Sequence, residues 1–132
     1  MTLRWMALED DLLARMRIDL DALVARARQF IGKRMFVEAS RLIGNGYKQL
    51  FGLDRRFLQM MQPNQVAGIL GRPEKVRAFS ELMAEEADLL RQQNDLQSAS
   101  ATAQWTLRIL ESAKQTRDLT LLARLKGMVG ES

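Results

Sequence analysis

Between residues 76 and 110 the chain carries two apolar stripes at helical spacing on either side of a short polar turn, and the second stripe is built from small residues. Val76, Phe79, Met83, Ala87 and Leu90 recur every three or four positions, with Leu82 and Leu89 widening the band. After "RQQND" the pattern resumes as Leu96, Ala99, Ala103, Thr106 with Leu107, and Leu110. Such spacing marks amphipathic helices. A leucine at 99 or 103 would bury more area; small side chains there instead shorten the distance between helix axes, so that two antiparallel helices interlock along their length. Asn94 can adopt the left-handed conformation that ends a helix. The stretch 74–113 therefore predicts a helical hairpin in which Ala99 and Ala103 face Ala87 and Leu90.

The same logic places a first hairpin over 8–52. Leu8, Leu12, Met16, Leu20, Leu23, Ala27 and Phe30 form one stripe of a long helix, with Asp10 and Asp11 near its positive end and Gly32 close to its stop. A second helix follows from Met35 or Phe36 through Ala39, Leu42, Ile43, Gly46 and Tyr47 to Leu50, ending at Gly52. Gly44 and Gly46 each cost that helix about 1 kcal/mol relative to Ala. Close approach of the first helix accounts for Gly46; a kink at "GNG" is the alternative, and Gly44 stays open between the two.

Residues 53–73, "LDRRFLQMMQPNQVAGILGRP", predict a connector of two short helices, Asp54 to about Met61 and Pro63 or Asn64 to Leu70, with Asp54 as an N-cap and Gly71 as a stop. Phe57, Met60 and Met61 form an apolar cluster expected to fill the domain's own core, with acceptance of a partner helix as the alternative, since Met adapts to irregular surfaces. A last helix at about 117–128 opens at Asp118, carries Leu119, Leu122 and Leu125, and leaves "MVGES" to fray. Whether the chain bends between 111 and 118 is not decided by pattern. With few β-branched residues, two prolines and abundant Leu, Ala, Arg, Gln and Met, the fold class is all-α in a single domain.

The order of small, bulky and turn residues at Ala87, Leu90, Asn94, Leu96, Ala99, Ala103 and Leu110 resembles a tetratricopeptide unit, a helix-turn-helix repeat with small residues at set offsets. Ala27, Phe30, Phe36, Ala39, Ile43 and "LFGLD" echo it in the first hairpin. Together with "EASRLI", the connector ending at Gly71 and "ELMAEEADLLRQQND", the chain over about 10–113 is similar to a bacterial family of single-domain proteins with a tetratricopeptide-like (TPR-like) helical fold. That resemblance implies antiparallel hairpins packed as a TPR-like bundle and brings no catalytic residues. It implies groove-facing positions at Glu81, Ala84, Asp88 and Arg91 of the third long helix and at Asp21 and Arg28 of the first.

Chemistry is limited by what is missing. The chain has no His and no Cys, which removes the commonest general base, the usual thiolate nucleophile and most transition-metal ligands. Glu81 and Glu85 stand four apart, with Glu86 and Asp88 nearby, so a paired-carboxylate site is conceivable; a charged, solvated outer face is the simpler reading. "GNG" and "GILG" lack the strand and the Lys-Ser or Lys-Thr of a phosphate loop. No enzyme activity, cofactor or metal is expected.

The expected function is a non-enzymatic protein-protein interaction or scaffolding module, contacting a peptide or a second copy. A single helical unit of this kind cannot cover its outer face, so a homodimer is expected. The partner-binding candidates are Asp21, Arg28, Glu81, Asp88, Arg91 and Trp105, where Trp105 packs on the C-terminal helix or sits at an interface. Trp5 either staples the first helix or stays loose.

The alternative is nucleic-acid or acidic-partner binding. Residues 1–62 hold eleven Lys or Arg against seven Asp or Glu, while 63–132 hold nine of each, so all the excess charge lies in the first half. Arg15, Arg17, Arg26, Arg28, Lys33, Arg34 and Arg41 do not form one ridge, however, and Asp19 and Asp21 interrupt them. No run is apolar enough to span a membrane. Glu9, Asp10 and Asp11 stand where an export signal needs an apolar core, so the cytoplasm is the expected compartment.

Overall fold

The computed structural model describes residues 2–58 and 60–130, with side chains from Leu8 onward. Among the described residues the chain is all-helical: α1 (Thr2–Gly32), α2 (Phe36–Phe51), α3 (Arg55–Leu58), α4 (Pro63–Leu70), α5 (Pro73–Gln92), α6 (Leu96–Ser112) and α7 (Leu119–Val129). Both expected hairpins form, and α3 and α4 occupy the connector.

Ion pairs reveal the helix directions. Arg72 near the start of α5 meets Glu9, and Glu81 further along meets Arg17, so α1 and α5 run parallel. Arg77 approaches Asp118 at 4.0 Å and Glu85 meets Arg124, so α7 runs parallel to them as well. The intervening α2 and α6 run back. Tyr47 and Phe51 of α2 pack on Phe79 of α5, ring centroids 5.6 and 5.5 Å apart, while Ser40 lies toward the other end. Helix α5 touches α1, α2, α4, α6 and α7, which makes it the axis of the domain.

Its burial follows. Val76, Ala78, Phe79, Ser80, Leu82, Met83, Ala84, Glu85, Ala87 and Leu89 are all buried. The small residues explain how neighbours reach α5 from several sides: Ala78, Ala84 and Ala87 leave room for close axes, as do Ala99 and Ala103 on α6. The buried Ser80 hydroxyl donates to the Val76 carbonyl at 2.8 Å, so no polar group is stranded there.

Gly46 is buried, and a Cβ there would lie 2.7 Å from Leu23 Cδ1 and 3.1 Å from Leu82 Cδ2. The close-approach reading holds, and α2 is unbroken through "GNG". Gly44 has a separate reason: a Cβ would lie 3.1 Å from Arg55 Nη1, so the glycine makes space for a guanidinium from α3.

One turn recurs three times. Arg34, Asn94 and Lys114 take φ of 59°, 64° and 58°, and the residue after each donates its N–H back to a helix carbonyl: Met35 to Phe30, Asp95 to Leu90 and Gln115 to Leu110, at 2.8 to 2.9 Å. This Schellman geometry ends α1, α5 and α6 and decides that the chain does bend after Glu111. Asp95 and Asp118 then cap the following helices by accepting from the N–H groups of Ser98 and Leu121.

Several expectations need correction. Leu8 and Leu12 are 53% and 59% exposed, because the first turns of α1 run beyond the elements that cover Met16 and Leu20. Leu96 and Leu119 point outward; α7 is buried instead through Leu121, Leu122, Leu125 and Met128. Met128 and Val129 belong to that helix, and the Val129 carbonyl accepts from Ser100 at 2.9 Å, so the tail is docked to residue 130. Phe57 and Met60 are exposed, since α3 is one short turn and buries only Leu58. The Trp5 side chain lies outside the described residues.

Candidate functional site

The inner face of α5 carries the carboxylates, and each meets a cation or a hydroxyl. Glu81 pairs with Arg17, which also binds Asp21 at 2.7 Å. Glu85 is 1% exposed, and its Oε1 accepts from Arg28 Nε and Nη2 at 3.0 and 2.6 Å and from Arg124 Nη1 at 2.9 Å. Asp88 binds Arg91 at 2.8 Å. These bonds, and the charges behind them, raise the Arg17 and Arg28 guanidinium pKa values further above their ordinary level.

The carboxylate cluster is therefore not a solvated outer face. Its members face α1, α3 and α7, and the basic excess of the N-terminal half is in part their counter-charge. Glu81 and Glu85 point at different arginines and do not form a paired acid-base site. Of the basic residues in the first half, Arg26 lies over Phe30 and Arg34 over Phe36, at 5.6 and 5.3 Å. Arg28 and Asp88 share the wall of a shallow basin of about 400 Å³ at the end of α1 and α5. Asp21 and Glu81 thus share Arg17, Arg28 binds Glu85 and Asp88 binds Arg91, so these five predicted positions are engaged in ion pairs within the chain.

A larger cleft, about 480 Å³, opens on the opposite side of α5. It exists because α3 and α4 are inserted between the hairpins: α4 packs on α6, and α2 meets α6 at most marginally among the described residues. The floor is α5, through Met83, Glu86, Leu89, Leu90 and Gln93. One wall is α6, where Ser98, Ala101 and Thr102 are too small to fill the gap and Trp105 closes one end. Ser40 of α2 and Arg55 and Leu58 of α3 complete the lining.

Trp105 contradicts its expected place on the C-terminal helix. Its indole N–H donates to the Met61 carbonyl at 3.1 Å, and its ring meets Phe79 edge-on at 6.3 Å, so it fastens the connector to the second hairpin. Amphipathic Trp suits a position with one polar tie and an apolar body. It is also the single member of the predicted partner-binding set that lines the cleft.

Arg55 holds the polar side. Its Nη2 lies 2.6 Å from Glu86 Oε1, its Nη1 donates to Ser40 Oγ at 3.0 Å, and its guanidinium sits 5.7 Å from the Tyr47 ring centroid. Tyr47 is fully buried and donates its hydroxyl to Glu86 Oε2 at 3.1 Å; burial first, then the Glu86 charge, push its phenol pKa well above the ordinary value. A buried charge with one partner is costly, and here three groups share the cost of desolvation. Sequence reading missed this cluster, since Gly44, Tyr47, Arg55 and Glu86 belong to three helices. The unexplained Gly44 was its one visible trace.

Among the described residues no three His, Cys, Asp or Glu side chains come together to hold a metal, and no helix is long and apolar enough to cross a membrane. No family model, curated protein or solved structure matches the chain.

Proposed function

We propose that this protein is a non-enzymatic interaction module of TPR-like helix pairs that binds a protein partner, a second copy of itself first among them. The observation that carries the reading is the cleft between α2 and α6: about 480 Å³, with Leu58, Met83, Leu89, Leu90 and Trp105 presenting an apolar interior and the Arg55–Glu86 ion pair at its edge. Exposed Leu8, Leu12, Phe57 and Met60 add unpaired apolar surface of the kind that marks interfaces. Trp, Met and Leu surfaces adapt well to protein partners, and nothing in the cleft offers a nucleophile next to a base.

Light scattering over a concentration series tests this reading: mass should rise from one chain toward two, and a mass of one chain at every concentration would refute self-association. Nucleic-acid binding is the weaker reading. Arg17 and Arg28 are spent on Glu81 and Glu85, and what remains is scattered; steeply salt-dependent retention on DNA or RNA would promote it. A chain without cysteine also fits a reducing compartment such as the cytoplasm.

A further inference from the structure

We infer that an exposed stripe of α1 pairs with the same stripe of a second copy, antiparallel and about a twofold axis at the level of residue 17, an arrangement that rests on the self-association proposed above. Helix α1 buries the side that carries Met16, Leu20 and Ala27, packed with α2 and α5. About a quarter turn around the helix runs a second stripe: Leu8, Leu12, Arg15, Asp19, Ala22 and Arg26, at alternating intervals of four and three. Every member is exposed, and the spacing is that of a coiled-coil seam. A helix face turned only to water is polar and charged; this one carries two leucines and an alanine, with exposed Ile18 along its border.

The order of charges selects a second copy as the occupant. An antiparallel pairing centred on residue 17 maps the stripe onto itself: Leu12 meets Ala22 of the second copy, Arg15 meets its Asp19, and Leu8 lies on the stem of its Arg26. Ile18, one residue from the centre, meets its own counterpart. Symmetry repeats each contact, so the Arg15–Asp19 pair forms twice. A parallel pairing would set Arg15 on Arg15 and Asp19 on Asp19, like charges that disfavour it. Both groups are available: neither has an ion-pair partner among the described residues, although Arg17 and Asp21, at the same spacing, do pair. The aspartate that interrupts the basic run of α1 is, in this register, the counter-charge for the other chain.

Helix length points to the same centre independently. Helix α1 has 31 residues and α2 only 16. Gly46 lies against Leu23, so Phe51, five residues further along the returning helix, ends α2 near the level of residue 18 of α1. The half of α1 before that level, with Leu8 and Leu12, has no α2 beside it, and this is why both leucines are exposed. A twofold at residue 17 sets the second copy's α2 alongside that bare half and this chain's α2 alongside the other. The seam from Leu8 to Arg26 is about 27 Å long. Because the same surface is used on both sides, the contact closes a dimer and does not propagate.

Charge reversal tests the register. Arg15→Asp and Asp19→Arg each place like charges across the seam at exposed positions, and circular dichroism with thermal melting establishes that both variants fold. Each alone should dimerise at least tenfold more weakly than the unaltered chain in sedimentation at low salt, and an equimolar mixture of the two should form heterodimer at close to the unaltered affinity, because opposite charges then meet at both pairs. Orientation is read by crosslinking, since the chain has no cysteine of its own. A short bismaleimide should join Ile18→Cys to itself and should not join Leu8→Cys to itself, whose two copies stand about 27 Å apart. A dimer indifferent to Arg15→Asp, a mixture that does not recover, or self-crosslinking of Leu8→Cys overturns this pairing while self-association stands. An unaltered chain that is monomeric at every concentration overturns both.

Discussion

Glu85 provides the sharpest test of how the helices are held. The carboxylate is 1% exposed and has two arginine partners on different helices, Arg28 of α1 and Arg124 of α7. Those arginines are not buried: their side chains keep 61% and 32% of their exposure, so either one rehydrates readily when its bond is lost. Truncating one arginine leaves the carboxylate paired with the other. The expected cost of Arg28→Ala or Arg124→Ala alone is therefore that of a largely exposed pair, about 1 kcal/mol or less. Removing both leaves a buried carboxylate without a cation, for which losses of about 3–5 kcal/mol are typical.

The double variant should accordingly exceed the sum of the singles by at least about 1 kcal/mol. Urea unfolding followed by far-ultraviolet circular dichroism measures all four members of the cycle. The same cycle in a Glu85→Gln background should lose the excess, because the charge that needed a partner is gone. Additivity within about 0.5 kcal/mol in the native background would refute the reasoning. It would mean that water or another group already compensates Glu85.

Further outcomes follow from other positions. Gly46→Ala gains about 1 kcal/mol of helix propensity but meets Leu23 at 2.7 Å and Leu82 at 3.1 Å; overpacking of about 1–3 kcal/mol should prevail, so the melting temperature falls. Lys114→Gly should raise stability by up to about 1 kcal/mol, since φ of 58° strains a side-chain-bearing residue; a loss would show that the Lys114 side chain does more than turn the chain. Trp105→Phe should cost about 0.5–1.5 kcal/mol for the lost bond to Met61 and speed amide exchange in the connector; unchanged exchange would show that the bond does not fasten it. The Asp54 carboxyl, held by the side-chain and backbone N–H groups of Arg56, should titrate near 2 instead of 3.8 in a side-chain NMR experiment. Because the folded value is depressed, its favourable interaction is complete above the ordinary carboxylate range and fades as pH falls toward 2. Arg56→Ala should move the midpoint upward.

The helices were legible from local chemistry. Gly52 and Asn94 at left-handed C-caps, Asp95 and Asp118 as N-caps, Pro63 and Pro73 at helix starts, and the three-four spacing of Ala99, Ala103, Thr106 and Leu110 all act within a few residues, so they are visible one segment at a time. Arg34 and Lys114 were not readable as turn residues, because nothing in an arginine or lysine favours positive φ; the packing of the helices around them imposes it. Stripe position predicted burial well in the middle of α1 and failed at Leu8 and Leu12, where periodicity continues but no neighbour does. Of the candidate site, Trp105 was named, though with the wrong neighbour, and the rest of the cleft was not.

Periodicity, capping and small-residue spacing by themselves determined that this chain is a set of antiparallel helical hairpins with a short helical insertion, since those signals are properties of backbone and nearest neighbours. Tertiary structure alone decided which faces stayed open. Whether Glu85 is solvated or enclosed, and whether Ala101 touches a helix or borders a cleft, depends on elements distant in sequence. The physical reason is that burial and pairing belong to two surfaces at once. A single helix discloses only its own.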